Sequence, residues 1–155
     1  MTQIIAGTPS DLTVTIAELV RELLQNNWPT SGYDPVASDI DFGLDKWNDY
    51  GDIDIHVVPD RTVSMPITLG WSYSQITESV YINLYVRKNT QTVPDSIGNA
   101  QRKIESIVKD NAASLGQGIT ALRFDGWNPL NQGNTIQDVW ILTGKASAIY
   151  FRVKQ

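Results

Sequence analysis

The sequence predicts an α+β fold: an antiparallel or mixed β-sheet of about 4–6 strands with two main helices packed on one face. Three observations predict it. Val80, Ile82, Leu84 and Val86 alternate with Tyr81, Asn83, Tyr85 and Arg87, the two-residue period of a strand. Past Pro94 and Asp95 the period changes, and Ile97, Ala100, Ile104, Ile107 and Val108 recur at the three- and four-residue spacing of one helix face. A second such stripe, Leu12, Ile16, Leu19, Val20, Leu23 and Leu24, opens the chain. The order is therefore helix, several strands, helix, several strands, which suits helices gathered on one face of a sheet.

Length and composition bound the rest. The 155 residues fit one domain, residues 1–155, able to bury roughly 70% of the surface exposed by the unfolded chain. With 41% hydrophobic and 19% charged residues, the chain lies outside the composition of disordered proteins. It has no cysteine, which excludes a disulfide framework, a thiolate zinc site and a cysteine nucleophile. The net charge of −5 opposes broad attraction to nucleic acid or to an anionic membrane. Residues 1–9 lack a basic region followed by a long apolar one, and no apolar run approaches the ~20 residues that span a bilayer. The expectation is a soluble protein without a secretory signal or a membrane partner.

Taken in order, residues 1–9 form a lead-in, and the first helix begins near Ser10 or Asp11. Thr15 and Glu18 have capping-box spacing, while Asp11 offers a cap one turn earlier. Pro29 ends the helix. Residues 28–52, rich in Gly, Pro, Asp and Asn, read as a long irregular loop with a short extended piece near Ile40 and Phe42. Ile53, Ile55 and Val57 then alternate with Asp52, Asp54, His56 and Val58 in a strand that runs to Pro59. Ile67, Leu69, Trp71 and Tyr73 alternate again and pair with the strand at 76–88. Asp95 reads as the N-cap of the second helix, and Gly116 and Gly118 as its stop. Leu122 and Phe124 face one way on a strand at 121–127, with Arg123 and Asp125 facing the other. Residues 136–153 are long for one strand, so Gly144 is expected to divide them, leaving Ile149, Phe151 and Val153 inward and Tyr150 and Arg152 outward.

The sharpest chemical constellation is Asp52, Asp54 and His56. Spacing of two on a strand puts all three on one face, where oxygen and imidazole ligands suit a divalent metal able to activate water for phosphodiester hydrolysis. A half-exposed strand needs a polar face in any case, and the same residues supply one without a ligand. His56 is the sole histidine and no Gly-x-Ser-x-Gly elbow is present, so a serine triad has no nucleophile. Phosphate-binding glycine loops are absent too. Trp28, Trp47, Trp71, Trp127 and Trp140 fall largely at loops and strand ends, where they fill sheet ends, anchor a protein interface or stack on sugars.

With this element order, the chain resembles the tail terminator and tail completion proteins of tailed bacterial or archaeal viruses, small neck subunits that form a ring at the top of the tail. The resemblance rests on the helix from Leu12 to Leu24, the strand from Asp52 to Val58, and the strand from Val80 to Arg87 leading into the helix from Ile97 to Val108. The strand from Ala121 to Trp127 and the terminal Tyr150, Phe151, Arg152 and Val153 complete it. It covers most of the chain; the aromatic loop between Trp28 and Tyr50 is not part of that pattern. The resemblance implies a structural virion protein, not an enzyme, with no cofactor. It would self-associate into a homo-hexameric ring at the head-tail neck, assembled in the host cytoplasm. Its partners would be the tail-tube protein and the head-side connector protein, with DNA only as passing cargo. Trp47, Trp127, Tyr81, Tyr85 and Arg87 are then the candidate contact residues. The readings set against it are a divalent-metal-dependent nuclease using Asp52, Asp54 and His56, and a carbohydrate-binding module using the loop tryptophans.

Overall fold

In the computed structural model, the described residues are 14–29, 40–43, 53–67, 73–87, 93–111, 118–128, 135–136 and 139–153. They form, in chain order, α1 (Ile16–Asn27), β1 (Ile40–Gly43), β2 (Ile53–Pro66), β3 (Tyr73–Arg87), α2 (Val93–Asn111), β4 (Ile119–Trp127), β5 (Thr135–Ile136) and β6 (Val139–Val153). The strands make one mixed sheet in the order β1-β2-β3-β6-β4, with β5 pairing on β6. Only the β1–β2 pairing is parallel among them. The chain is thus an α+β protein with both helices on one face.

β3 lies at the centre and explains the layering. It pairs with β6 without a register break from Tyr73↔Val153 to Arg87↔Val139, and with β2 on its other side. Val80, Ile82, Leu84 and Val86, the alternating set, are all fully buried. Register carries the same face onto Ile53, Ile55 and Val57 of β2 and onto Leu142, Ala146 and Ala148 of β6. α1 brings Ile16, Val20 and Leu24 to this surface, and α2 brings Ala100, Ile104 and Val108. Each large apolar side chain removed from water here stabilises the fold by roughly 1.5–3 kcal/mol before entropy is counted.

Local chemistry sets the helix boundaries. α1 starts at Ile16, one turn later than Asp11 would place it, because Thr15 adopts extended backbone and its hydroxyl accepts from Glu18 N at 3.2 Å. Asn27 closes the other end by donating from Nδ2 to the Leu23 carbonyl at 2.9 Å. α2 begins at Val93, so Asp95 stands within its first turn, not ahead of it. Pro94 fits that turn because its missing N–H would have no intrahelical acceptor.

Two strand expectations are corrected, and a third lies mostly outside the described residues. β2 does not stop at Pro59: it continues to Pro66 through a bulge between Pro59 and Arg61, where the absent proline N–H costs no ladder hydrogen bond. The expected strand from Ile67 to Tyr73 falls mostly on residues 68–72, which lie outside the described residues; of its ends, Tyr73 opens β3 and its carbonyl accepts from Ile67 N at 3.0 Å. Gly144 does not divide β6, which runs unbroken from Val139 to Val153. A Cβ at Gly144 would stand 2.9 Å from Phe124 Cζ and 3.0 Å from Trp127 Cζ3, so the glycine makes room for two β4 rings.

The end of β6 is also inverted relative to expectation. Tyr150 is buried in the core while Ile149 and Phe151 face the other side of the sheet. The parity of β6 carries unbroken through Gly144 to Tyr150, and a polar anchor receives the buried hydroxyl. Glu78 of β3 accepts from Ile16 N at 3.2 Å, which satisfies an orphan amide of α1, and from Thr62 Oγ1 and Tyr150 Oη at 3.3 Å each. Arg152 Nη2 donates to the same Tyr150 oxygen at 3.2 Å. Burial first, then the Glu78 carboxylate, push the Tyr150 hydroxyl above the ordinary tyrosine value of 10.0, against the pull of Arg152.

Two outcomes follow from this packing. Gly144→Ala should lower stability by about 1–3 kcal/mol in urea denaturation, since both rings must shift; an unchanged midpoint would show that they give way freely. Because the folded-state value of Tyr150 is raised, its contribution to stability is whole below pH 10 and is lost as pH rises through the raised value. In Glu78→Gln an alkaline ultraviolet titration should show Tyr150 ionising closer to the ordinary value, while remaining above it through burial.

Candidate interaction surface

The sheet face opposite the helices carries Arg61, Arg123 and Lys145 with Asp60 and Asp125. Its composition follows from the bulges. In β2, odd-numbered residues face the helices up to Val57, but the extra residue Asp60 flips the parity. Arg61, Val63 and Met65 consequently point to the open face. In β4, Asp125 is the extra residue between Phe124 and Gly126. That bulge brings Phe124 and Trp127, three apart in sequence, to the helix side, and Gly126 takes a φ of 137° there.

Each bulge places an aspartate beside a buried serine. Ser79 and Ser147 are register partners on β3 and β6. Ser79 Oγ donates to Asp60 Oδ2 at 2.9 Å, with the Arg61 carbonyl as a second acceptor at 3.3 Å. Ser147 Oγ donates to Asp125 Oδ2. A cation completes each unit: Lys145 Nζ lies 3.3 Å from Asp60 Oδ2, and Arg123 Nε lies 2.9 Å from Asp125 Oδ1. The Ser79 hydrogen bond, and after it Lys145, hold the Asp60 carboxyl below its ordinary value of 3.8 against the cost of desolvation. Exposed Arg61 has no carboxylate partner among the described residues. Arg61, Thr77, Arg123 and Lys145 border a shallow basin of about 310 Å³ with the two serines on its floor.

Towards the β2–β3 hairpin the same face turns apolar. Val63 is 48% exposed and Met65 52%. The register places them in line with Ile149 and Phe151 of β6, and Tyr73 packs on Phe151 with ring centroids 5.8 Å apart. Val63 and Met65 thus form an exposed apolar patch with charged groups at its border, the core-and-rim order that protein contacts share. Neither the β2 parity flip nor the inverted β6 end was foreseen from alternation alone. The pairing of Pro59 with Asp60 and the three-residue step from Phe124 to Trp127 were the available signals.

The sequence-predicted site residues scatter. Asp54 and His56 share a face, as their spacing requires, but they are interior groups at 1% and 2% exposure and not a solvated polar surface. Their side chains approach to 3.8 Å. Tyr85 stands edge-on to His56 with centroids 5.0 Å apart, and Gly43 of β1 backs the imidazole so closely that a Cβ would lie 3.3 Å from Cε1. The burial of Tyr85 removes it from a surface open to a partner, whereas Tyr81 is half-buried. No group of three or more metal-capable side chains occurs among the described residues, and Asp52 lies outside them. Trp47 and the side chain of Arg87 lie outside them as well. Trp127 is engaged within its own subunit: Nε1 donates to Glu105 Oε1 of α2 at 2.7 Å, and its ring packs on Phe124. Trp28 is buried against Phe42, and Trp140 packs on the core.

The Asp60 unit has a direct test. Its folded-state value is lowered, so its contribution to stability is present above pH 3.8 and is lost as pH falls through the lowered value. In Ser79→Ala, carboxyl-resolved NMR titration should show Asp60 moving up towards 3.8, and no movement would remove the serine as the main cause.

No family model matches the sequence, and no curated protein matches it at a significant level.

Proposed function

We propose that the chain is a structural virion subunit, a tail terminator or tail completion protein that forms a ring at the head-tail neck, caps the tail tube and joins it to the head connector. The observation that supports this reading most is the one-sided layering of the sheet. Two helices bury one face, while the other presents exposed Val63 and Met65 beside a charged centre of Arg61, Arg123, Lys145, Asp60 and Asp125. A ring subunit needs two complementary surfaces on each protomer, and a sheet face left open by its own helices is suited to be one. The resemblance in element order, from the opening helix to the late strand pair, supports the same role. The reading assigns no catalytic step to the chain.

The test is assembly on tubes. Mixed with the tail-tube protein of the same genome, the chain should cap tubes and stop their elongation. By mass photometry it should give a species of six times its 17.2 kDa mass, alone or on the tubes. A chain that neither binds tubes nor oligomerises would overturn the reading, as would a gene placed in a metabolic operon instead of among portal, tail-tube and tape-measure genes.

A further inference from the structure

One side of β2 is paired over only part of its length. β1 lies along it from Ile53 to His56, and no other described strand joins that side. Beyond the Asp60 bulge, Arg61, Thr62, Val63, Ser64 and Met65 are all exposed, the longest such run in any described strand. The ladder with β3 fixes which backbone groups this stretch has to spare. Ile67 N donates to Tyr73 O, so those two residues form a hydrogen-bonded pair, and such pairs alternate with open ones along an antiparallel ladder. The register runs without a break from Pro66↔Ser74 to Thr62↔Glu78. Met65 and Val63 therefore direct their amides and carbonyls to β3, whereas Thr62, Ser64 and Pro66 turn theirs outward. Pro66 agrees with this parity, since it has no N–H to give to β3. The outer edge thus carries the N–H groups of Thr62 and Ser64 and the carbonyls of Thr62, Ser64 and Pro66.

We propose that this edge accepts an extended segment of a partner polypeptide as an added strand, about four or five residues long and apolar at alternate positions. The backbone groups supply the pairing, and the side chains dictate the pattern. Val63 and Met65 lie on the open face, so residues of the segment on that face are apolar. Thr62 and Ser64 lie on the other face, so the residues between are polar. The Asp60 bulge and Pro66 bound the window. It is too short to splice one folded sheet onto another, yet it matches a segment that is extended and unpaired before it binds. Upstream, the same side of β2 already takes a strand of four residues, β1. The site is independent of the ring reading.

Hydrogen exchange followed by NMR on the free chain reads the edge first. The amides of Thr62 and Ser64 should exchange at least about tenfold faster than those of Val63 and Met65. Slow exchange at Thr62 and Ser64 would mean that the edge is already paired, and would overturn the proposal. A phage-displayed library of random seven-residue peptides, panned on the immobilised full chain, then supplies the partner strand. Selected peptides should alternate apolar and polar residues and should slow exchange at Thr62 and Ser64. Ser64→Pro removes an outward N–H that β3 does not use, so it should keep the circular dichroism and urea midpoint of the wild type. It should nevertheless weaken those peptides at least about tenfold, while Ser64→Ala binds them like the wild type. If the proline variant does not fold, the exchange data on the wild type decide alone. Peptides that leave both amides fast, or that bind the proline variant equally well, overturn the site, as does a library that yields no binder. Slowing of both amides when the chain alone is concentrated assigns the edge to a second copy and overturns the partner named here.

Discussion

Everything in this fold depends on the pairing of β3 along its whole length between β2 and β6. A strand with two full-length neighbours leaves no unpaired backbone to solvent, and its side chains are then sorted strictly by parity. The even-numbered set from Ile76 to Val86 faces the helices and, with the exception of Glu78, is apolar. Shifting the register by one residue would bring Tyr81 and Asn83 into the core and expose Ile82 and Leu84. The exception is informative: Glu78 occurs where the core meets the first turn of α1, and a carboxylate there satisfies a helix amide that no apolar residue could. One charged residue on the apolar face thus ties the first turn of α1, capped by Thr15, to the end of β6.

The sheet, the two helices and most core positions were legible in the sequence because they follow from period alone. Leu19, Val20, Ile104 and Val108 needed only the helical spacing, and Ile53, Ile55 and Val57 only the alternation. What was not legible arises where one residue breaks the period. Pro59 reads locally as a stop, yet a bulge beside it lets the strand continue with its faces exchanged. Gly144 reads as a break, yet its meaning is set by Phe124 and Trp127 from a strand distant in sequence. The inversion of Tyr150 and Phe151 follows from β6 keeping one parity through Gly144, and the buried hydroxyl meets Glu78, 72 residues away from Tyr150, a partner no local pattern can reveal.

The candidate surface was less legible for the same reason. Asp54 and His56 attracted attention because they share a face of one strand, but the neighbouring strands bury that end of the face. The exposed chemistry lies one bulge further along β2, and it is assembled from four strands: Arg61, Ser79, Arg123 and Lys145 have no common spacing in sequence. The two bulges use one arrangement twice. Each expels an aspartate onto the open face, and each aspartate is held by a serine of the central strand pair. Bulges that re-aim side chains are commonest at sheet edges, and the β4 bulge lies on the edge strand of this sheet.

The edges of the sheet have a consequence of their own. β1 is only four residues long and covers β2 only from Ile53 to His56, the rest of β2 on that side carries Pro59, the Asp60 bulge and Pro66, and β4, at the opposite margin, is interrupted by register shifts near Thr120 and Asp125. Short or bulged margins are poor templates for an incoming sheet, because their free amides and carbonyls do not line up over a useful length. Copies of this chain are thereby discouraged from lengthening one another's sheets without limit, the route to fibres. In the ring proposed above, association would be left to side chains, whose fixed geometry can specify an angle between neighbours and so a finite count of subunits.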